Sequence, residues 1–396
     1  MTGPLARTPR RGRVRRLASG LTLSLVTALG CGRDPMSPTT QESTPALATA
    51  SHRALEFRQV SAGATHTCGV TPANLAYCWG FNWAGQIGDG TTTDRFLPVP
   101  VAGGLQFSHV SVGLDHSCGV TTENKSYCWG RNAEGQLGDG TFDNRSRPVA
   151  VVGGHRFRDV EAGTIHTCAI VDLTDRAYCW GSNAGGSTPV LVPGGLHWRQ
   201  LSGGNGHTCG VTRGNRAYCW GGNGNGQLGD GTTTPRLRPS PVAGGLLFRQ
   251  VSAGGFHSCG VATSDRAYCW GYNGNGQLGD GTTTGQLTPR AVASLRPWNH
   301  VSAGYEHTCA LTLSQRAWCW GNNGSGRLGD GTITDRLKPV LVGEGMPFRQ
   351  VSAGTQHSCA VSRVYHGYCW GENNIGQVGV IPRGQYPSPV RVMGPM

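Results

Sequence analysis

A chain of 396 residues with 64 glycines, 37% hydrophobic and only 14% charged residues is too apolar to remain disordered, and its scarcity of helix formers excludes a helical bundle. The formal charge of +12 does not mark a nucleic-acid binder. Arg7, Arg10, Arg11, Arg13, Arg15 and Arg16 sit in the first 30 residues, and the remainder holds 28 basic against 22 acidic residues without a basic run.

The arginine-rich start is followed by an apolar stretch from Leu17 to Leu29, too short to cross a bilayer comfortably. Residues 1–30 therefore read as an export signal. The end of that stretch, Ala28-Leu29-Gly30-Cys31, resembles the lipobox of bacterial lipoproteins, although Ala28 stands where a bulkier aliphatic residue is usual. The expectation is cleavage before Cys31 and lipidation of its thiol, with the membrane reached through that lipid alone. An ordinary secretory signal cut nearby is the alternative. Residues 31–56, rich in Pro, Ser, Thr and Ala and lacking any period, read as a lipid-anchored flexible tether.

An internal repeat governs the rest of the chain. The His of a His-[Ser/Thr]-Cys tripeptide recurs at His66, His116, His166, His207, His257, His307 and His357, in steps of 50, 50, 41, 50, 50 and 50. One unit, from Phe248, reads FRQVSAGGFHSCGVATSDRAYCWGYNGNGQLGDGTTTGQLTPRAV. Phe248 to Ala253 predicts a strand. His257 to Ala262 and Ala267 to Gly271 predict a hairpin about the polar tip Thr263-Ser264-Asp265-Arg266. Asp280-Gly281 marks a tight turn, and Pro289 to Val292 leads into the next unit. The third unit is short: after Trp180-Gly181-Ser182-Asn183 it runs quickly to Pro189 and lacks the GQLGDGT segment. The seventh keeps that segment in decayed form, Gly376-Gln377-Val378-Gly379.

Seven such units predict an all-β fold over residues 57–396, a seven-bladed β-propeller with four-stranded blades of about fifty residues each. A solenoid would need distinct polar caps, whereas the first and last units look like the others. Closure is expected from Pro389 to Val392 pairing near Phe57 to Ser61. The recurring motifs are Ala-Gly-x-x-His, Trp-Gly-x-Asn-x-x-Gly-Gln-Leu-Gly-Asp-Gly-Thr and Pro-x-x-Val. Over roughly residues 57–392 they resemble the regulator of chromosome condensation repeat family, here in an exported, cysteine-paired form. The resemblance implies a seven-bladed propeller independently of the strand count. Kelch repeats share the length but not this order, and the Trp-Asp ending of WD repeats is absent.

Apart from Cys31, the cysteines form seven pairs: Cys68/Cys78, Cys118/Cys128, Cys168/Cys179, Cys209/Cys219, Cys259/Cys269, Cys309/Cys319 and Cys359/Cys369. In an exported chain they point to one disulfide per blade. If Cys68 opposes Cys78 in an antiparallel hairpin, Val70 opposes Ala76. The other face then sets Tyr77 over Gly69 and Trp79 over Thr67, rings placed to pack on a neighbouring blade. The competing reading of His-x-Cys with Cys as zinc ligands would put a metal in every blade, so the His is read as a hydrogen-bonding core residue and no metal or cofactor is expected. Gly-Asp-Gly-Thr lacks the alternating acids of a calcium loop and the Lys and helix of a phosphate cradle, and reads as a turn.

Repeated positions build blades, so positions that differ between units are left to carry specificity. Phe81, Trp83, Phe142, Phe256, Tyr272 and Tyr305 stand at such places and are candidate partner-binding residues. No Ser/His/Asp arrangement and no unit-specific cluster of acids or His is apparent, so an enzyme is not expected. The reading is a monomeric, non-enzymatic propeller in the cell envelope or secreted, which binds a protein partner and no nucleic acid. Two alternatives stay open: guanine-nucleotide exchange on a small GTPase, which the resemblance to the family's namesake implies, and inhibition of a secreted enzyme.

Overall fold

Within each unit, short apolar and β-branched runs make strands, the second of them buried on both faces, and glycine-rich or polar tips fold them back on one another. In the computed structural model, which describes residues 55–182 and 184–395, blade two comprises Phe107–Val112, His116–Thr121, Ser126–Gly130 and Arg145–Ala150. Seven four-stranded antiparallel sheets result, each built from four consecutive strands. A single 3-10 turn at Gly343–Gly345 is the only helical element among the described residues. The export signal of residues 1–30, the lipidation expected at Cys31 and nearly all of the tether lie outside the described residues.

The hairpin register follows the sequence expectation: Cys68 lies opposite Cys78, Gly69 opposite Tyr77 and Thr67 opposite Trp79. The same register recurs in the other blades and brings each cysteine pair together. The disulfides are Cys68–Cys78, Cys118–Cys128, Cys168–Cys179, Cys209–Cys219, Cys259–Cys269, Cys309–Cys319 and Cys359–Cys369, each with Cα atoms 4.0–4.1 Å apart. In every blade the first cysteine sits on the second strand and its partner on the third. Cys128, Cys219, Cys269, Cys319 and Cys369 are fully buried there, and Cys179, in the shortened unit, is nearly so. The disulfide face of one blade packs against the Trp face of the next. Cys68, Cys78 and Ile87 of blade one share a core cluster with Phe107, Val110 and Trp129 of blade two.

Polar bonds lock these seams. The Gln86 carbonyl accepts from the Trp129 indole N–H at 2.9 Å and from the Ser117 hydroxyl at 3.0 Å. Ser117 has one proton and gives it to Gln86, so the 2.8 Å contact to His66 Nε2 is donated by the imidazole. The Gly-Gln-Leu-Gly-Asp-Gly-Thr loop holds its own shape. Asn82 Oδ1 accepts from the Ile87 amide at 2.9 Å, and Asp89 accepts from Thr91 and pairs with Arg95. Burial alone would raise the Asp89 carboxyl, but Thr91 and Arg95 together hold it below the usual carboxylate range.

The ring closes differently from the expected strand pairing. Gln385–Arg391 stays in the last blade, paired with Gly367–Glu372. Closure comes instead from the same side-chain bonds that join other blades. Gln350 exchanges two bonds with Val60 at 2.8 and 2.9 Å, and the Ala62 amide donates to Ser352 Oγ at 3.0 Å. A blade already complete in four strands has no slot for a foreign one. Leu55 and Glu56, assigned to the tether by composition, also join the propeller: Leu55 packs on the closing cluster and Glu56 bridges to His366.

The seven core histidines predict an acid limit to stability. Burial lowers His66, His116, His207, His257 and His357 to about 3 and His166 to about 4, and His307 falls well below its ordinary value. The unfolded chain therefore binds more protons as pH falls below about 6.5, so stability is full above that pH and is lost towards pH 4 and below. Each histidine contributes a slope of up to about 1.4 kcal/mol per pH unit. Melting temperatures measured from pH 8 to pH 4 should be flat above 7 and drop steeply below 6; a flat profile throughout would contradict neutral core imidazoles.

Candidate functional site

Strand direction decides what each end of the propeller displays. In every blade the inner strand runs to a short loop before the repeated His, and the third strand runs back to the same end, where the long Trp-Gly-x-Asn loop follows in all blades but the third. Both loops thus emerge on one face, while the hairpin tips and the connections between blades emerge on the other. All six candidate partner-binding residues lie on the loop face. The Tyr272 amide donates to the Phe256 carbonyl at 2.9 Å, and the Phe256 and Tyr305 rings meet edge-on at 5.2 Å. Phe256 and Tyr305 thus form an aromatic pair across blades five and six, and the Tyr272 main chain is tied to the first of them. The Phe81 amide donates to the Thr65 carbonyl at 3.0 Å on blade one, with Trp83 beside it, and Phe142 stands on a separate loop of blade two. Trp83 and Phe142 are about half exposed, at 48% and 57%.

The inner strands line a central channel that narrows at the loop face. There the glycines preceding each repeated His approach one another so closely that a Cβ on Gly113 would strike the Gly163 carbonyl. Behind this mouth, Gln and Ser side chains line a polar cavity of about 190 Å³. At these two positions most blades carry Gln and Ser, which bond to the next blade: Gln200 to Val251, Gln250 to Val301, Ser202 to Ala253.

Blade three departs from that pattern with Asp159 and Glu161, and blade two offers His109 beside them. His109 Nε2 lies 3.8 Å from both Asp159 and Glu161 carboxylate oxygens, and the ligand atoms of all three lie within 4.8 Å of one another. One imidazole with two carboxylates is a donor set that divalent cations take. Burial first, and then the charge of Asp159, push the Glu161 carboxyl well above the usual range, against a weaker hydrogen bond from Ser111.

This cluster corrects the sequence expectation that no unit-specific group of acids and His exists. The signal was present: the third inner-strand residue runs Gln59, His109, Asp159, Gln200, Gln250, His300, Gln350 through the units. Variation among the loops does not reveal it, because these positions lie on the inner strands. The substitution also strips the seam to blade four, where neither Leu201 nor Gly203 receives the Gln and Ser bonds made elsewhere, among the described residues.

The model of the Regulator of chromosome condensation (RCC1) repeat matches residues 74–120, 124–170, 215–261, 264–311 and 315–361. A second model of the same repeat matches residues 57–86, 107–136, 198–227, 248–277 and 298–327. The stretch between 170 and 198, left unmatched, is that of the shortened third unit. No curated protein matches the chain. Among solved structures, Prp20p from Saccharomyces cerevisiae is similar at 20% identity and TM-score 0.73, covering 86% of this chain and 88% of that one. Human WBSCR16 is similar at 20% identity and TM-score 0.71, over 77% and 86% of the two chains. The ectodomain of the receptor kinase CR4 from Physcomitrella patens is similar at 22% identity and TM-score 0.55, over 80% and 74%. These likenesses show the fold.

Restoring the repeat at the acidic pair, Asp159→Gln with Glu161→Ser, should stabilise the protein by about 0.5–2 kcal/mol. The gain should be larger at pH 8 than at pH 4, because a carboxyl raised by folding weakens the fold as pH rises through its titration. Melting curves of the double variant at both pH values check this, and an equal or lower melting temperature at pH 8 would contradict it.

Proposed function

The chain belongs to the Regulator of chromosome condensation repeat family, and from that membership we propose that it is a non-enzymatic propeller that binds a protein partner outside the cytoplasm, anchored through Cys31 or secreted. The observation that carries this reading is the loop face, where one rigid surface collects the aromatic residues that differ from unit to unit. Aromatic rings held on a stiff scaffold bury large areas with little entropy to lose, which is how interface anchors work.

The cysteines support that compartment. Seven disulfides persist only where thiols oxidise, in keeping with the export signal read from the sequence. No helix among the described residues is long and apolar enough to cross a membrane. Structures with this fold accommodate such a role: the solved relatives include a receptor ectodomain, and Prp20p is described by its binding to Gsp1p and histones. Guanine-nucleotide exchange by this chain would require a reducing compartment that its disulfides oppose.

The test is cross-linking in the native host. A partner captured by the oxidised protein should lose at least about tenfold in affinity for the variant Phe256→Ser with Tyr305→Ser, or for Trp83→Ala, while their melting temperatures stay near that of the parent. Undiminished affinity would move binding off this face. Accelerated nucleotide release from a small GTPase would replace the reading with the exchange-factor one.

A further inference from the structure

Six of the seven seams share one plug. At each, a main-chain carbonyl (Gln86, Gln136, Gln227, Gln277, Arg327 or Gln377) accepts a Trp indole N–H from the next blade at 2.8–3.0 Å. The same oxygen takes a Ser or Thr hydroxyl, and the following aliphatic residue is fully buried against that Trp. A glycine then passes flat over the indole: a Cβ on Gly229 would run into Trp270.

The seam from blade three to blade four has no such plug, because the third unit lacks the segment. Its core cluster holds Cys168, Ile170, Cys179, Trp198 and Leu201 but no buried aliphatic residue in the plug position. Trp220 is half-buried, whereas its six counterparts are at 0% exposure. Among the described residues neither the Trp220 indole N–H nor the Thr208 hydroxyl proton finds a carbonyl, and the Thr208 hydroxyl keeps the 2.8 Å contact to His166 Nε2. Leu237 is 91% exposed, while Leu287 and Leu337, which rest on plug glycines Gly226 and Gly276, are at 41% and 39%. An open groove of about 210 Å³ runs here between Cys179, Ala184, Val190, Leu191, Trp220 and Leu237.

We propose that this groove docks a turn-forming segment of a partner protein that supplies the missing plug in trans: a main-chain carbonyl, then Leu, Ile or Val, then Gly. The occupant's chemistry is fixed by the six filled seams, which display the same walls with their contents in place. With the export signal removed, the remaining tether of residues 31–54 contains no Leu, Ile or Val followed by Gly, so it does not match. A second copy has its own plugs engaged. Apolar Trp220 and Leu237 gain burial, and the Trp220 indole N–H and Thr208 hydroxyl gain the carbonyl acceptor that their counterparts have at the other seams. The inference rests on the protein-binding reading and names the surface and the partner segment for it.

The experiment is a calorimetric titration of the oxidised full chain with the peptide Asn-Gly-Gln-Leu-Gly-Asp-Gly-Thr, the sequence of residues 225–232. Saturable one-to-one binding is expected, weakened at least about tenfold when the peptide Leu is replaced by Asp. The same loss is expected in a chain whose residues 182–188 are exchanged for its own residues 222–238, which restores the plug. Leu237→Asp, at an exposed position, gives the same reading should the exchange fail to fold. Absence of binding, or equal binding to the plugged chain or to Leu237→Asp, overturns the proposal. If the groove fails while loop-face variants still release the captured partner, the docking site falls and the protein-binding reading stands.

Discussion

At six of the seven seams one main-chain oxygen holds this ring together. A buried indole N–H must find an acceptor, and a buried carbonyl can take two donors, so the Gln86 oxygen and its equivalents each tie a Trp and a Ser or Thr to the preceding blade. The hydroxyl, its proton committed, becomes the acceptor for the His of the preceding blade. The repeated His, Ser/Thr and Trp are therefore parts of one hydrogen-bond chain, and the Asn and Asp of the following loop hold its carbonyl in place. At those six seams the hydroxyls, the indoles and the imidazole Nε2 atoms are thereby committed, as the paired sulfurs are to the hairpins.

A scaffold so fully committed leaves its departures to do anything particular. They fall in two places. The loop face varies because its aromatic residues take no part in the hydrogen-bond chain of the seams. The third blade varies within the scaffold itself: it loses the plug, and at the channel it exchanges the Gln and Ser that would bond to blade four for Asp159 and Glu161. Both changes weaken the same seam, which the His166–Thr208 bond and the Arg158 guanidinium, reaching the Trp198 carbonyl at 2.7 Å, still span.

The hairpins were legible from sequence because their contacts are local. Two-residue alternation and a short polar tip leave one register that puts Cys68 beside Cys78 and Tyr77 over Gly69, and the structure has that register. The repeated His read correctly as a core residue for a similar reason, since a group present in every unit serves the unit. Ring closure did not follow from the sequence: Pro389 to Val392 has the apolar character of a strand that could pair anywhere, and only the completed last blade shows that it pairs at home. Glu56 looked like tether because nothing near it in sequence bonds to it, while its partner is His366.

The sequence by itself determined the number of blades, their strands, the disulfide pairing and the identity of the one incomplete unit, all properties of segments a few tens of residues long. The tertiary structure decided what crosses the seams: which carbonyl meets which indole, how the first blade meets the last through Gln350 and Val60, and that His109 stands beside Asp159 and Glu161. Such contacts join residues about one repeat or nearly the whole propeller apart. No spacing along the chain encodes them until the blades are set side by side, and only then does a deletion in one unit become a groove beside Trp220.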